Sequence, residues 1–201
     1  MYAETHPRDN LTVLVDYYAR EFSDALEVCS WWYNDVLPSE PGSARTLAFR
    51  IDTHGERYAE GLDYEQSVEL VANGLHVYNE YEAGRAVRGD ECYESDTLNI
   101  VKDRVRKVLL STGVSVASVI KMRQTLDAAG FNSARIVGSS GFTSFKCKMF
   151  GHARAPVDVI GTGSFIPEAF GDTFATADIF MYDGKFLIKV GREKLFQGLK
   201  P

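Results

Sequence analysis

Two hydrophobic periods take turns along the chain. LTVLVD (11–16) is a short β-branched apolar run closing on Asp16, the pattern of a buried parallel strand. In REFSDALEVC (20–29), Phe22, Ala25, Leu26 and Cys29 fall on one helical face. The loop LPSEPGSAR then breaks the chain before a second strand, TLAFRID (46–52). YEQSVELVANGLHVYNEY predicts the following helix, with Gly74 weakening its middle. Residues 82–96 are polar and aperiodic and read as a surface loop or insertion. Two more helical faces follow, one of Leu98, Val101, Val105, Val108 and Leu109, the other of Val116, Val119, Ile120 and Leu126. The second stops at AAGF, where Gly130 suits a helix C-cap. Strand ARIVGSS (134–140), helix-like FTSFKCKMFGH (142–152) and strand VDVIGTGS (157–164) complete the alternation. The tail TFATADIFMYDGKFLIKVGR predicts two strands joined at Asp183-Gly184, a strong hairpin signal.

Four strands separated by helical segments, then a hairpin, predict an α/β core with a small β appendage. The strands end in polar or small residues: Asp16; Arg50 and Asp52; Ser139, Ser140 and Gly141; Gly161, Thr162, Gly163 and Ser164. In parallel α/β folds ligands bind at this edge, where backbone N–H groups and loop side chains are exposed. VGSSGF and VIGTGSF are each a strand breaking into a small-residue turn, the first leading into a helix pattern. Such turns let backbone N–H groups approach a phosphate, and a helix N-terminus adds a favourable dipole. They also serve as plain tight turns, and a short Gly-x-Gly alone is a weak signal. In RIDTHGER (50–57), Arg50 could grip a phosphate or carboxylate in a fork, and Asp52 could accept from ribose hydroxyls or hold Mg2+ through water. The same two residues could equally form a local salt bridge.

Charge and cysteine content narrow the classes. A net charge of −6 argues against a nucleic-acid-binding surface. No apolar run reaches the ~20 residues that span a bilayer, and no signal-peptide pattern opens the chain. Cys29, Cys92 and Cys147 are odd in number and lack CxxC spacing, which speaks against disulfides and a zinc site and for a reducing cytoplasmic setting. His6, His76 and His152 have no carboxylate or cysteine at metal-ligand spacing, so no metal site is assigned; His54 could be a general acid or a substrate contact, though an exposed loop histidine is the commoner case. Trp31, Trp32 and Tyr33 are expected to pack under a loop or at an interface. Lys185, Lys189 and Arg192 alternate with apolar residues and read as a solvated hairpin face, one edge of which could contribute to an interface.

Five segments in order, TVLVDYY, LAFRIDTHGER, LDAAGFNSARIVGSSGF, APVDVIGTGSFI and ADIFMYDGKFLIKVGR, resemble the C-terminal half of nicotinate phosphoribosyltransferases. The resemblance covers most of the chain outside about 60–115. It implies a partial (β/α) barrel of the type II phosphoribosyltransferase kind over 1–170, with a helical or loop insertion at about 60–115. Residues 171–201 would then be a hairpin segment of a second β-rich domain. The implied activity is transfer of the phosphoribosyl group of PRPP to nicotinate, giving nicotinate mononucleotide and pyrophosphate in NAD biosynthesis, with Mg2+ and usually ATP hydrolysis. Arg50 and Asp52 correspond to the strand-end pair near ribose and base. Ser139, Ser140, Gly141, Gly161, Thr162 and Gly163 correspond to the 5′-phosphate cradle, Asp16 to an earlier strand-end acid, and Thr53 to the residue after the Arg-x-Asp.

Departures from the pattern also matter. The family's Asp-Ser-Gly-Asp stands here as Asp52-Thr53-His54-Gly55-Glu56, and its N-terminal half has no counterpart. The chain is therefore expected to supply about half a site, as part of an enzyme that associates with that half or forms a homo-oligomer. Two alternatives stay open: a nicotinamide- or quinolinate-specific relative, and a stand-alone phosphosugar-binding module without the chemistry.

Overall fold

The computed structural model describes residues 5–6, 9–72, 95–163 and 181–191, with the backbone alone over 95–101. Four strands, β1 (Leu11–Leu14), β2 (Leu47–Ile51), β3 (Arg135–Gly138) and β4 (Val159–Ile160), pair in parallel in the order of the chain. Their register places Leu11 beside Leu47, Phe49 beside Ile136, and Gly138 beside Ile160. The two-residue period then sorts the sheet into unlike faces. Leu11, Leu47, Phe49, Ile51 and Ile136 are buried on one. On the other, Thr12, Leu14, Arg50, Arg135 and Val159 are exposed.

Helices cover the first face. The helices are α1 (Glu21–Trp31), α2 (Leu37–Ser39), α3 (Tyr64–Ala72), α4 (Ser95–Leu110), α5 (Val116–Ala128) and α6 (Ser144–His152), and the longer ones form the covering layer. α1 packs on β2 and α5 on β3, while α3 and α4 lean on α5. Consecutive parallel strands need long crossovers, and right-handed crossovers without reversal of strand order place every helix on the same side. The core is accordingly Phe49, Ile51 and Ile136 from the sheet against Val116, Val119, Met122 and Leu126 of α5, with Phe142, Met149 and Phe150 beyond. The expected insertion at 60–115 thus contributes α3 and α4 to the helical layer; the loop predicted at 82–96 lies outside the described residues except at its last two.

Local sequence explains most boundaries. Ser115 and Ser118 form a reciprocal capping box at the start of α5, and Thr143 accepts from Lys146 N at 3.2 Å to start α6. Between α1 and α2 the helix widens to a π-helical stretch, Trp32–Val36, just before Pro38, whose missing N–H deprives the preceding turn of an α-helical bond. That stretch buries Trp32 completely beneath the Arg45 guanidinium, 4.9 Å from the ring centre, while Tyr33 stacks on Phe131 at 5.3 Å. α5 ends in a Schellman motif: Phe131 N reaches Leu126 O at 2.8 Å and Gly130 N reaches Asp127 O at 2.9 Å. Gly130 takes φ +85°, so Gly130→Ala should cost about 1–2 kcal/mol in urea unfolding. An unchanged midpoint would show that this turn bears no strain.

The tail forms the predicted antiparallel hairpin, β5 (Met181–Tyr182) and β6 (Lys185–Phe186). Asp183 (φ +50°) and Gly184 (φ +73°) are both left-handed, as a type I′ turn demands. After β6 the chain returns to the C-terminal edge of the parallel sheet, where Val190 N donates to Tyr17 O at 3.2 Å. No helix among the described residues is long and apolar enough to cross a membrane.

Candidate functional site

The loop after β2 is shaped by a buried carboxylate that has no signature in the local sequence. Glu21, fully buried at the start of α1, accepts from Thr53 Oγ1 at 2.7 Å and Glu60 N at 3.0 Å. It also pairs with Arg57 Nη2 at 2.7 Å. Arg57 donates in turn to Asp16 O at 2.8 Å. Glu60 returns the contact by capping α1: its Oε2 accepts from Phe22 N at 2.7 Å and Ser23 N at 2.8 Å. Its other oxygen accepts from the Ser23 hydroxyl. A helix N-terminus leaves such N–H groups unpaired, and an acid there also meets the helix dipole favourably. Thr53 is therefore fully buried, and its hydroxyl serves Glu21 instead of lining the rim.

Above this support the strand ends converge. Arg50 Nε donates to Ser139 Oγ at 2.9 Å, and Nη2 donates to Asp52 Oδ2 at 2.9 Å. The local salt bridge is thus present, and it is tied across the sheet to the end of β3. Ser139 is buried and its hydroxyl also reaches Ile51 O at 3.2 Å. With two of its nitrogens held, the Arg50 guanidinium is oriented, yet its side chain stays 47% exposed. The two predicted turns lie side by side. Gly161 N donates to Gly138 O at 2.9 Å, and Thr162 Oγ1 donates to Phe142 O at 2.7 Å. Ser140 (φ +76°) and Gly141 (φ +62°) are consecutive left-handed residues. For serine that conformation costs energy, and such outliers gather at ligand-binding positions.

Lys146, in the first turn of α6, completes this corner. Its Nζ donates to Ser140 O at 2.9 Å and lies 4.4 Å from the centre of the Phe142 ring. Burial against that apolar surface lowers its pKa to about 8, partly offset by the nearby Asp52 carboxylate. The unfolded chain holds this proton up to its ordinary lysine value, so the cost of the buried charge is fully present below about pH 8. That cost disappears as pH rises from there toward 10.5, and stability rises with it.

Asp16 lies at the same edge but beneath the surface. It is fully buried; its Oδ2 pairs with Lys189 Nζ at 2.6 Å, while Oδ1 has no hydrogen-bond partner among the described residues. Burial raises its pKa, and Lys189 opposes the rise. Lys189 also donates to Asp52 O at 3.1 Å. Instead of lying on a solvated hairpin face, this lysine is only 12% exposed and sits over the ends of β1 and β2. Its alternation with apolar neighbours gave no hint of that position.

The structure therefore brings Arg50, Asp52, Ser139, Ser140, Gly141, Gly161 and Thr162 to one sheet edge, with Gly163 following. Asp16 and Thr53 lie beneath as supports. The reading from sequence missed Lys146, Lys189, Glu21 and Arg57; only Lys146, close behind VGSSGF, was within reach of a local signal. Three cations, Arg50, Lys146 and Lys189, surround the Asp52 residue on a chain whose net charge is −6. No family model, no curated protein and no solved structure matches this chain.

Proposed function

We propose that the C-terminal edge of the sheet binds the phosphate of a phosphosugar, and that the chain acts in phosphoribosyl transfer from PRPP to nicotinate. The observation carrying this reading is Arg50, aimed by Ser139 and Asp52 while still open to solvent, beside the strained Ser140-Gly141 turn. An oriented guanidinium is the group of choice for two-point recognition of phosphate. The sequential strand order with helices on one face supports a segment of a (β/α) barrel wall. In that reading the second face, bearing Arg50 with the exposed Leu14 and Val159, is the barrel interior and is completed by further strands or another subunit.

Transfer from PRPP passes through a cationic, oxocarbenium-like sugar, so the protein's share is to hold the phosphates and align the accepting nitrogen. Arg50 and Lys146 would take the anionic end, and the Asp52 carboxylate would stand beside the developing positive charge. Among the described residues no three His, Cys, Asp or Glu side chains converge as a metal site. The described residues offer no carboxylate cage for a resident Mg2+, and the ion would arrive on the diphosphate of PRPP, which Mg2+ accompanies through few protein ligands.

Calorimetric titration of Mg·PRPP into the whole chain tests this. Saturable binding is expected in the wild type and should be abolished by Gly163→Trp, where a side chain meets open space and should leave the fold intact. Affinity should fall as pH rises through about 8, where Lys146 loses its proton, and binding near that pH should take up protons. A folded chain that shows no heat with PRPP would overturn the reading.

A further inference from the structure

We propose that Lys189 is a positioning residue of this site, and that the strap it belongs to, Lys189–Gly191, latches the strand ends into the geometry that receives the ligand. The role of the strap rests on three contacts; that it serves a ligand rests on the phosphosugar reading above. Lys189 Nζ reaches Asp16 Oδ2 at 2.6 Å, just beyond β1, and Asp52 O at 3.1 Å, just beyond β2. One ammonium thus staples two neighbouring strand ends from above. Next to it, Val190 N donates to Tyr17 O at 3.2 Å.

Gly191 then lies flat on His54. A Cβ added there would stand 3.1 Å from His54 Nδ1 and 3.2 Å from its Cβ, and the residue has φ +96°. A side chain there is strained by the backbone conformation and needs His54 to give by a few tenths of an ångström.

Burial makes the latch more than a surface tether. Asp16 is completely buried with one oxygen unpartnered among the described residues, so an undocked strap would leave that carboxylate without its cation. The staple also reaches the binding rim directly. Asp52 presents its carbonyl to Lys189 and its carboxylate to Arg50, so releasing the carbonyl frees the residue that aims the guanidinium. Docking of the strap and occupation of the rim are therefore linked, each favouring the other.

Hydrogen–deuterium exchange over 187–191, with and without Mg·PRPP, tests the proposal alongside calorimetry. Lys189→Met should speed exchange at Val190 by about tenfold or more, whereas Lys189→Arg, which keeps the cation, should change it far less. Gly191→Ala provides a second variant that loosens the strap with the Lys189 charge intact, and it too should speed exchange. PRPP should slow exchange in the wild type, and both Lys189→Met and Gly191→Ala should weaken PRPP binding. Unchanged exchange in Lys189→Met and Gly191→Ala overturns the latch, and unchanged PRPP affinity in both overturns the positioning role. If these variants speed exchange and the wild type binds PRPP in calorimetry without slower exchange, the latch stands and the positioning role falls; if the wild type gives no heat with PRPP, the phosphosugar reading falls and takes the positioning role with it.

Discussion

Arg57→Met should lower the unfolding free energy by about 3–5 kcal/mol, the usual cost of stripping the partner from a buried charge. Glu21 is fully buried, and Arg57 is the only cation paired with it among the described residues. Thr53 Oγ1 and Glu60 N would remain as donors, but two neutral hydrogen bonds do not replace a guanidinium. The loss is large against the ~5–15 kcal/mol that a domain possesses. The double variant Arg57→Met with Glu21→Met should recover much of it, because an apolar pair of similar volume tolerates burial better than one orphaned carboxylate. Urea unfolding followed by circular dichroism reads all three proteins. A loss below about 1 kcal/mol in the single variant would mean that the Glu21 network does not hold the loop.

Arg50→Met should separate binding from stability in the opposite sense. Its guanidinium is half-exposed, so the Arg50–Asp52 pair should contribute no more than about 0–1 kcal/mol to the fold. Affinity for Mg·PRPP should nevertheless drop by about 10–100-fold, or 1.4–2.7 kcal/mol. Arg50→Lys should recover little, since an ammonium cannot bond Ser139, Asp52 and a phosphate in one plane. Titrations of the three proteins at one pH and ionic strength suffice. Equal dissociation constants would remove Arg50 from the site, whatever happens to its neighbours.

The elements were largely legible in the sequence, and the reasons are local. β-Branched runs at 11–16, 46–52 and 134–140 contain the three longer strands, and helical faces built on Phe22, Val105 and Val119 mark α1, α4 and α5. Punctuation was equally readable: Gly130 closes α5, and Asp183-Gly184 turns the hairpin, each through a φ that short-range sterics assign. The strand-end residues Arg50, Asp52, Ser139 and Gly161 could be gathered on one edge because parallel strands must all end on the same side.

What only the tertiary structure decided are the distant partners that the charged side chains find, backbone groups included. Glu21 and Glu60 cross-brace α1 and the loop after β2 from 39 positions apart. Lys189 meets the Asp52 carbonyl from 137 positions away. Periodicity reports which face a residue is on; it carries nothing about which buried charge will face which, since that depends on how two separately determined elements dock. A lysine alternating with apolar residues near the chain's end has the pattern of a solvated hairpin face. It becomes the staple over the sheet edge because the turn at Asp183-Gly184 sends the strand back across a buried acid that requires a cation.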